Sequence, residues 1–108
     1  MKTIQYTAFG HSDVLQLAQA EKPAPQENEV LIKIVATTVN PMDMKLREGY
    51  LQKLVPIQFP FSPGLDVSGI IEAVGDQVTL FKVGDEVFSP IFGGTYTEYV
   101  TIKEGQIA

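Results

Sequence analysis

Apolar and polar residues alternate loosely from Thr3 to Phe9, Gly10-His11-Ser12-Asp13 carries turn chemistry, and Val14-Leu15-Gln16-Leu17 takes up the alternation again. Period-two patterning on both sides of a turn predicts an opening hairpin. Lys22-Pro23-Ala24-Pro25-Gln26-Glu27-Asn28 predicts a loop, because two prolines withhold backbone donors among polar neighbours. Val30 to Ala36 is the most hydrophobic strand in prospect. Val30, Ile32, Ile34 and Ala36 share one face, and Leu31 and Val35 flank Lys33 on the other, so both faces are expected to be covered.

The period changes once. Asn40-Pro41-Met42-Asp43-Met44-Lys45-Leu46-Arg47-Glu48-Gly49 predicts a helix of about two turns, too short to be stable alone. Asn40 suits the N-cap and Pro41 the first helical position, where a missing N–H costs nothing. Asp43 stands where its charge favours the helix start and where it can reach back to the cap's N–H, and Gly49 suits the left-handed closing position.

From Tyr50 to Pro63 the chain is apolar but irregular, broken by Pro56, Pro60 and Pro63. Val67 to Val74 predicts a strand, with Gly69 marking a bulge or a close backbone approach. Gly75-Asp76 and Gly84-Asp85 predict turns, and Glu86 to Ile91 another strand. Gly93-Gly94 predicts a hairpin turn before a last strand in which Tyr96, Glu98, Val100 and Ile102 share one side. Short strands spaced by Gly and Pro, with one small helix, predict a mainly β barrel or sandwich.

At 108 residues the chain makes one domain, and a hydrophobic fraction of 44% is enough for one core. No stretch approaches the ~18 consecutive apolar residues of a membrane span. The opening Met1-Lys2-Thr3-Ile4-Gln5-Tyr6 alternates, unlike the continuous apolar run of a signal peptide, so a cytoplasmic location is expected. A formal charge of −5 and a pI near 4.7 argue against nucleic acid or an anionic membrane as partner, since both reward basic patches. The absence of cysteine removes disulfides and thiolate zinc sites.

Searched for catalytic machinery, the residues alone offer little. His11, the one histidine, stands in a turn with no nucleophile motif beside it and reads as a surface residue. No Gly-x-Gly-x-x-Gly links a strand to a helix. Asp85 and Glu86 are adjacent, so on a strand they would face opposite ways.

Three stretches carry a resemblance. Val39-Asn40-Pro41-Met42-Asp43 with Arg47-Glu48-Gly49 resembles the Asn-Pro-x-Asp-x-x-x-Arg-x-Gly helix of quinone oxidoreductase-like enzymes. Pro63-Gly64-Leu65-Asp66-Val67-Ser68-Gly69-Ile70-Ile71-Glu72-Ala73-Val74-Gly75 is similar to the Pro-Gly-x-Asp-x-x-Gly-x-Val-x-x-Val-Gly segment of the same medium-chain dehydrogenase/reductase superfamily. Phe81-Lys82-Val83-Gly84-Asp85-Glu86-Val87 and Gly93-Gly94-Thr95-Tyr96-Thr97-Glu98-Tyr99-Val100 resemble its Gly-Asp-x-Val turn and Gly-Gly-x-x-x-Glu-Tyr strand. Each motif is weak alone, but their order and spacing match from about Lys2 to Ile102.

The resemblance implies a mainly β fold, a GroES-like partly open β-barrel with one or two short helices, spanning residues 1–108 as the substrate domain. Zinc-dependent members place a cysteine on this helix and a histidine after the Pro-Gly. Here Asn40 and Leu65 stand there, so no metal site is expected. The zinc-free branch implies NADPH as cofactor and hydride transfer to a quinone, enone or similar activated alkene. Asn40 is then implied beside the nicotinamide and its ribose, with Tyr50 and the apolar stretch up to Phe61 at the cleft mouth and Leu65 and Asp66 in the substrate cleft. Asp43 and Arg47 are expected to stabilise the helix and its surroundings, and no catalytic side chain is assigned. The resemblance also implies that a Rossmann domain with the glycine fingerprint completes the enzyme. Gly105-Gln106-Ile107-Ala108 ends before it, so these residues alone are expected to be inactive, and the intact protein is expected to be a homodimer. A zinc alcohol dehydrogenase-type enzyme and a non-catalytic GroES-like binding or scaffold module remain open as alternatives.

Overall fold

Strand-forming residues dominate the structure, a computed structural model that describes residues 1–54, 56–91 and 93–107. Val55, within the stretch expected at the cleft mouth, and Ala108, the last residue of the expected domain, lie outside the described residues. Strands β1 (Lys2–Gln5) and β2 (Gln16–Gln19) form the opening antiparallel hairpin. Strands β3 (Glu29–Ala36), β4 (Asp66–Val74), β5 (Glu86–Pro90) and β6 (Tyr99–Lys103) form a second antiparallel sheet in the order β5-β4-β3-β6. Among the described residues the two sheets do not close into a barrel.

The alternation read from the sequence decides which face of the large sheet is buried. Val30, Ile32, Val67, Ile71, Val87 and Ile102 form the core, with Ile34, Phe81, Ile91 and Val100 packed against it. Each fully buried aliphatic side chain contributes about 1.5–3 kcal/mol relative to exposure. On the opposite face of β3, Leu31 is buried while Val35 is 69% exposed, so only the first half of that strand is covered on both sides. Lys22 fastens the proline loop to the sheet, with Nζ 2.6 Å from Glu72 and 4.2 Å from the centroid of the Tyr99 ring. Gly69 is a close approach: a Cβ there would run into the Lys33 carbonyl, and the β3–β4 register shifts just beyond it, between Ile34 and Ala36.

Helix α1 (Pro41–Glu48) follows the expected capping. Asn40 Oδ1 accepts from the Met42 N–H at 3.0 Å, and Asp43 Oδ2 accepts from the Asn40 N–H at 3.2 Å. Gly49 closes it in the left-handed region, φ 85°. About 12 Å of helix cannot hold itself. Leu46 is buried beneath it, and the Arg47 carbonyl accepts from the Gly10 N–H while Arg47 Nε donates to the Gly10 carbonyl.

Three further expectations change. The second arm of the hairpin starts at Gln16 rather than Val14, because Ser12–Val14 forms a 3-10 turn. The first strand stops at Gln5, because Tyr6 exchanges backbone hydrogen bonds with Phe61 at 2.9 Å in both directions. Gly93-Gly94 is no hairpin turn, since β5 and β6 lie at opposite edges of the sheet. That segment instead docks on Ser62-Pro63: Gly94 N–H donates to the Ser62 carbonyl at 2.7 Å, and the Thr95 and Tyr96 N–H groups donate to the Pro63 carbonyl at 3.1 Å. With Tyr96 committed there, the last strand begins at Tyr99 rather than at Tyr96.

Candidate functional site

Three loop segments converge beside the start of α1: Thr37–Asn40, Ser62–Asp66 and Gly93–Thr97. The convergence begins with Asp43, which is buried at 7% exposure and has both oxygens engaged. Oδ2 takes the Asn40 N–H, and Oδ1 takes the Gly64 N–H at 3.0 Å. Gly64 has φ 115°, and a Cβ on it would run into Thr95 Oγ1, so the Pro-Gly turn tolerates no side chain here. Thr95 is fully buried, and its hydroxyl meets that of Thr37 at 2.7 Å, while the Thr37 hydroxyl donates to the Asp66 carbonyl at 2.7 Å.

Asp66 itself clamps Thr38. The Thr38 hydroxyl lies 2.7 Å from both carboxylate oxygens, and the Thr38 N–H donates to Oδ1 at 3.2 Å. The Tyr96 hydroxyl donates to the Thr38 carbonyl at 3.3 Å. Burial, the nearby Asp43 and the nearby Asp66 raise the Tyr96 pKa, with Arg47 opposing, so this hydroxyl keeps its proton and remains a donor. Tyr6 is fully buried in an edge-to-face cluster with Phe59 and Phe61. Its pKa is raised by burial and by Asp43, and its hydroxyl has no hydrogen-bond partner among the described residues.

Asn40 is half-buried at the helix start. Its amide oxygen is taken by the cap, and its NH₂ makes no hydrogen bond to a described residue. The structure therefore ties Asp66 to the segment that leads into Asn40, as the sequence could not foresee. It does not bring Tyr50 to that point. Tyr50 follows the opposite end of α1 and is 75% exposed. Leu65, in the bend before β4, and Asp66, its first residue, line different recesses. Asp66 borders one of about 380 Å³ with Thr38 and Phe88, and Leu65 borders one of about 490 Å³ with Ile91 and Ile102. Asp43 holds Asn40 and Gly64, Arg47 Nε donates to the Gly10 carbonyl, and His11 is exposed, pairing with Glu48 at 3.2 Å. No group of three or more His, Cys, Asp or Glu side chains lies together among the described residues.

Sequence reasoning missed Thr38 and Tyr96. The only hint was positional, since both sit inside or beside the stretches that carried the resemblance.

The family model described as alcohol dehydrogenase GroES-like domain matches residues 26–108. The chain is 41% identical over 108 residues to the chloroplastic quinone-oxidoreductase homolog of Spinacia oleracea, covering 96% of this chain and 33% of that relative. It superposes on Escherichia coli quinone oxidoreductase complexed with NADPH with a TM-score of 0.91 at 28% identity, covering 100% of this chain and 32% of that one. On the human synaptic vesicle membrane protein VAT-1 homolog-like protein the TM-score is 0.93 at 30% identity, covering 100% and 34%. The chain spans about a third of the length of the curated relatives it matches. No helix among the described residues is long and apolar enough to cross a membrane.

Proposed function

Because the chain belongs to the alcohol dehydrogenase GroES-like domain family, on its quinone oxidoreductase-like branch, we propose that it is the substrate-side domain of an NADPH-dependent reductase. The reductase transfers hydride to quinones, enones or related activated alkenes. One observation carries this reading beyond kinship. Asn40 spends its amide oxygen on the cap and keeps its NH₂ unengaged at the start of a helix whose position is fixed from several sides. An amide NH₂ in that place offers a donor to the carboxamide or ribose oxygens of a nicotinamide nucleotide.

Bound NADPH would supply the hydride itself. What these residues contribute is placement. Asn40 orients the nucleotide, Asp43 holds Asn40 and Gly64 in fixed relation, and the recess beside Leu65, walled by Pro90, Ile91 and Ile102 with Gln106, receives a flat acceptor. Asp66, with both oxygens on Thr38, is a structural wall of the cleft rather than a base. A zinc-free reaction is supported by Asn40 and Leu65 at the positions where zinc-dependent members hold the metal, and by a chain without cysteine.

We place the dinucleotide-binding glycine loop in the part of the relatives' length that this chain does not span. Residues 1–108 are accordingly inactive alone, within a cytoplasmic homodimeric protein. The test is NADPH consumption by the full-length protein with a para-quinone and with an enone. Turnover with either supports the reading, and NADPH left unconsumed with both overturns it.

A further inference from the structure

We infer that Tyr96 is a positioning residue for Asn40, acting through the Thr38 carbonyl; this rests on the reading of Asn40 as a nicotinamide-side group. Thr38 lies between β3 and α1, two residues before the cap, and all three of its polar groups are held by side chains. Asp66 takes the N–H and the hydroxyl, and the Tyr96 hydroxyl donates to the carbonyl. Among the described residues no backbone partner shares that task. Backbone groups are ordinarily satisfied by ladder or turn, so a residue pinned only by side chains has its position set by them.

Tyr96 is equally constrained at its own backbone. Its N–H donates to the Pro63 carbonyl at 3.1 Å, and its carbonyl accepts from the Ile4 N–H at 2.8 Å. Hydrogen bonds and short stretches of chain together form a closed circuit: Tyr96 to Pro63, the adjacent Gly64 to Asp43, Asp43 to Asn40, then along the chain through Val39 to Thr38, which bonds back to Tyr96. Asn40 is a member of that circuit, and its amide NH₂ is a group the circuit leaves unspent. Removing the Tyr96 hydroxyl opens the circuit at Thr38 while leaving the cap and the helix intact.

The experiment is a double-mutant cycle in the full-length protein, crossing Tyr96→Phe with Asn40→Ser. Phenylalanine keeps the ring and deletes the hydroxyl, whereas serine keeps the cap and deletes the amide. Tyr96→Phe should lower kcat roughly tenfold with the quinone KM unchanged, because misplacing an orienting group slows the chemical step. In the Asn40→Ser background the same substitution should be silent. Equal losses in both backgrounds, or no loss with wild-type Asn40, overturn the inference. So does a lowered Tm with kcat intact, which makes Tyr96 a structural residue only. If the wild type binds NADPH but reduces nothing, the reductase reading fails alone. The cycle is then read on NADPH affinity by calorimetry, where weakening that depends on Asn40 upholds the role of Tyr96 and weakening that does not overturns it. A wild type that binds no NADPH ends both.

Discussion

The large sheet and the joint beside α1 are built on different physics. In the sheet, backbone groups pair along strand ladders, with shifts of register between β3 and β4, and the core is aliphatic, from Val30 and Ile32 on β3 to Ile102 on β6. At the joint, irregular segments are held by side chains reaching backbone: Asp43 to Gly64, Asp66 to Thr38, Tyr96 to Thr38. Apolar packing is non-directional and forgives small shifts, whereas a joint made of single hydrogen bonds fixes position and loses it when one partner goes. The unspent Asn40 NH₂, the group proposed to meet the nucleotide, lies in the joint.

The contrast is broken most severely at Gly64. Gly64→Ala forces a Cβ toward Thr95 and an L-residue into φ 115°, and the full-length protein should lose folding stability at the joint by several kcal/mol, with turnover abolished. Ile32→Ala, its counterpart in the sheet, should cost about 2–5 kcal/mol of stability in denaturant titration while kcat of the folded fraction stays near wild type. If kcat of folded Ile32→Ala falls as far as that of Gly64→Ala, the two regions are not functionally separate.

Asn40→Ala is the next largest effect. Losing the cap should cost about 1 kcal/mol, and losing orientation should reduce turnover by ~10²-fold. Asn40→Ser should restore the stability and not the rate. A serine variant as active as wild type would leave Asn40 a cap and nothing more.

The smallest effect is alkaline. Tyr6 and Tyr96 have pKa values raised above the ordinary value near 10, so folding favours their protonated forms. Their contribution to stability is complete below that value and is lost as pH climbs through the raised ones. Denaturant midpoints should therefore fall above about pH 10, and Tyr6→Phe should flatten the fall. At neutral pH the same substitution should leave stability unchanged or slightly higher, because it removes a buried hydroxyl without a partner. A clear loss at neutral pH would show that the hydroxyl is satisfied.

Local chemistry was legible wherever neighbours in the sequence are also the physical partners. Asn40, Pro41, Asp43 and Gly49 specify a capped helix because every group involved lies within one turn of another. The period of two in the first half of β3 likewise told that Val30 and Ile32 face inward, and Gly69 announced the close approach. Gly93-Gly94 misled because a glycine pair signals a turn without saying what it turns against. The Gly94 partner, Ser62, lies some thirty residues earlier.

By itself, then, the sequence determined the capped helix, the existence of most strands, the inward face of the first half of β3 and, through three spaced motifs, the family. Only the tertiary structure decided that Asp66 holds Thr38, that Leu65 and Asp66 open on different recesses, that Tyr50 stands exposed, and that Tyr96 completes the circuit around Asn40. The reason is range. Periodicity and capping are set by dihedrals and neighbours a few residues apart, whereas Tyr96 and Thr38 are 58 residues apart and meet only when both sheets are in place.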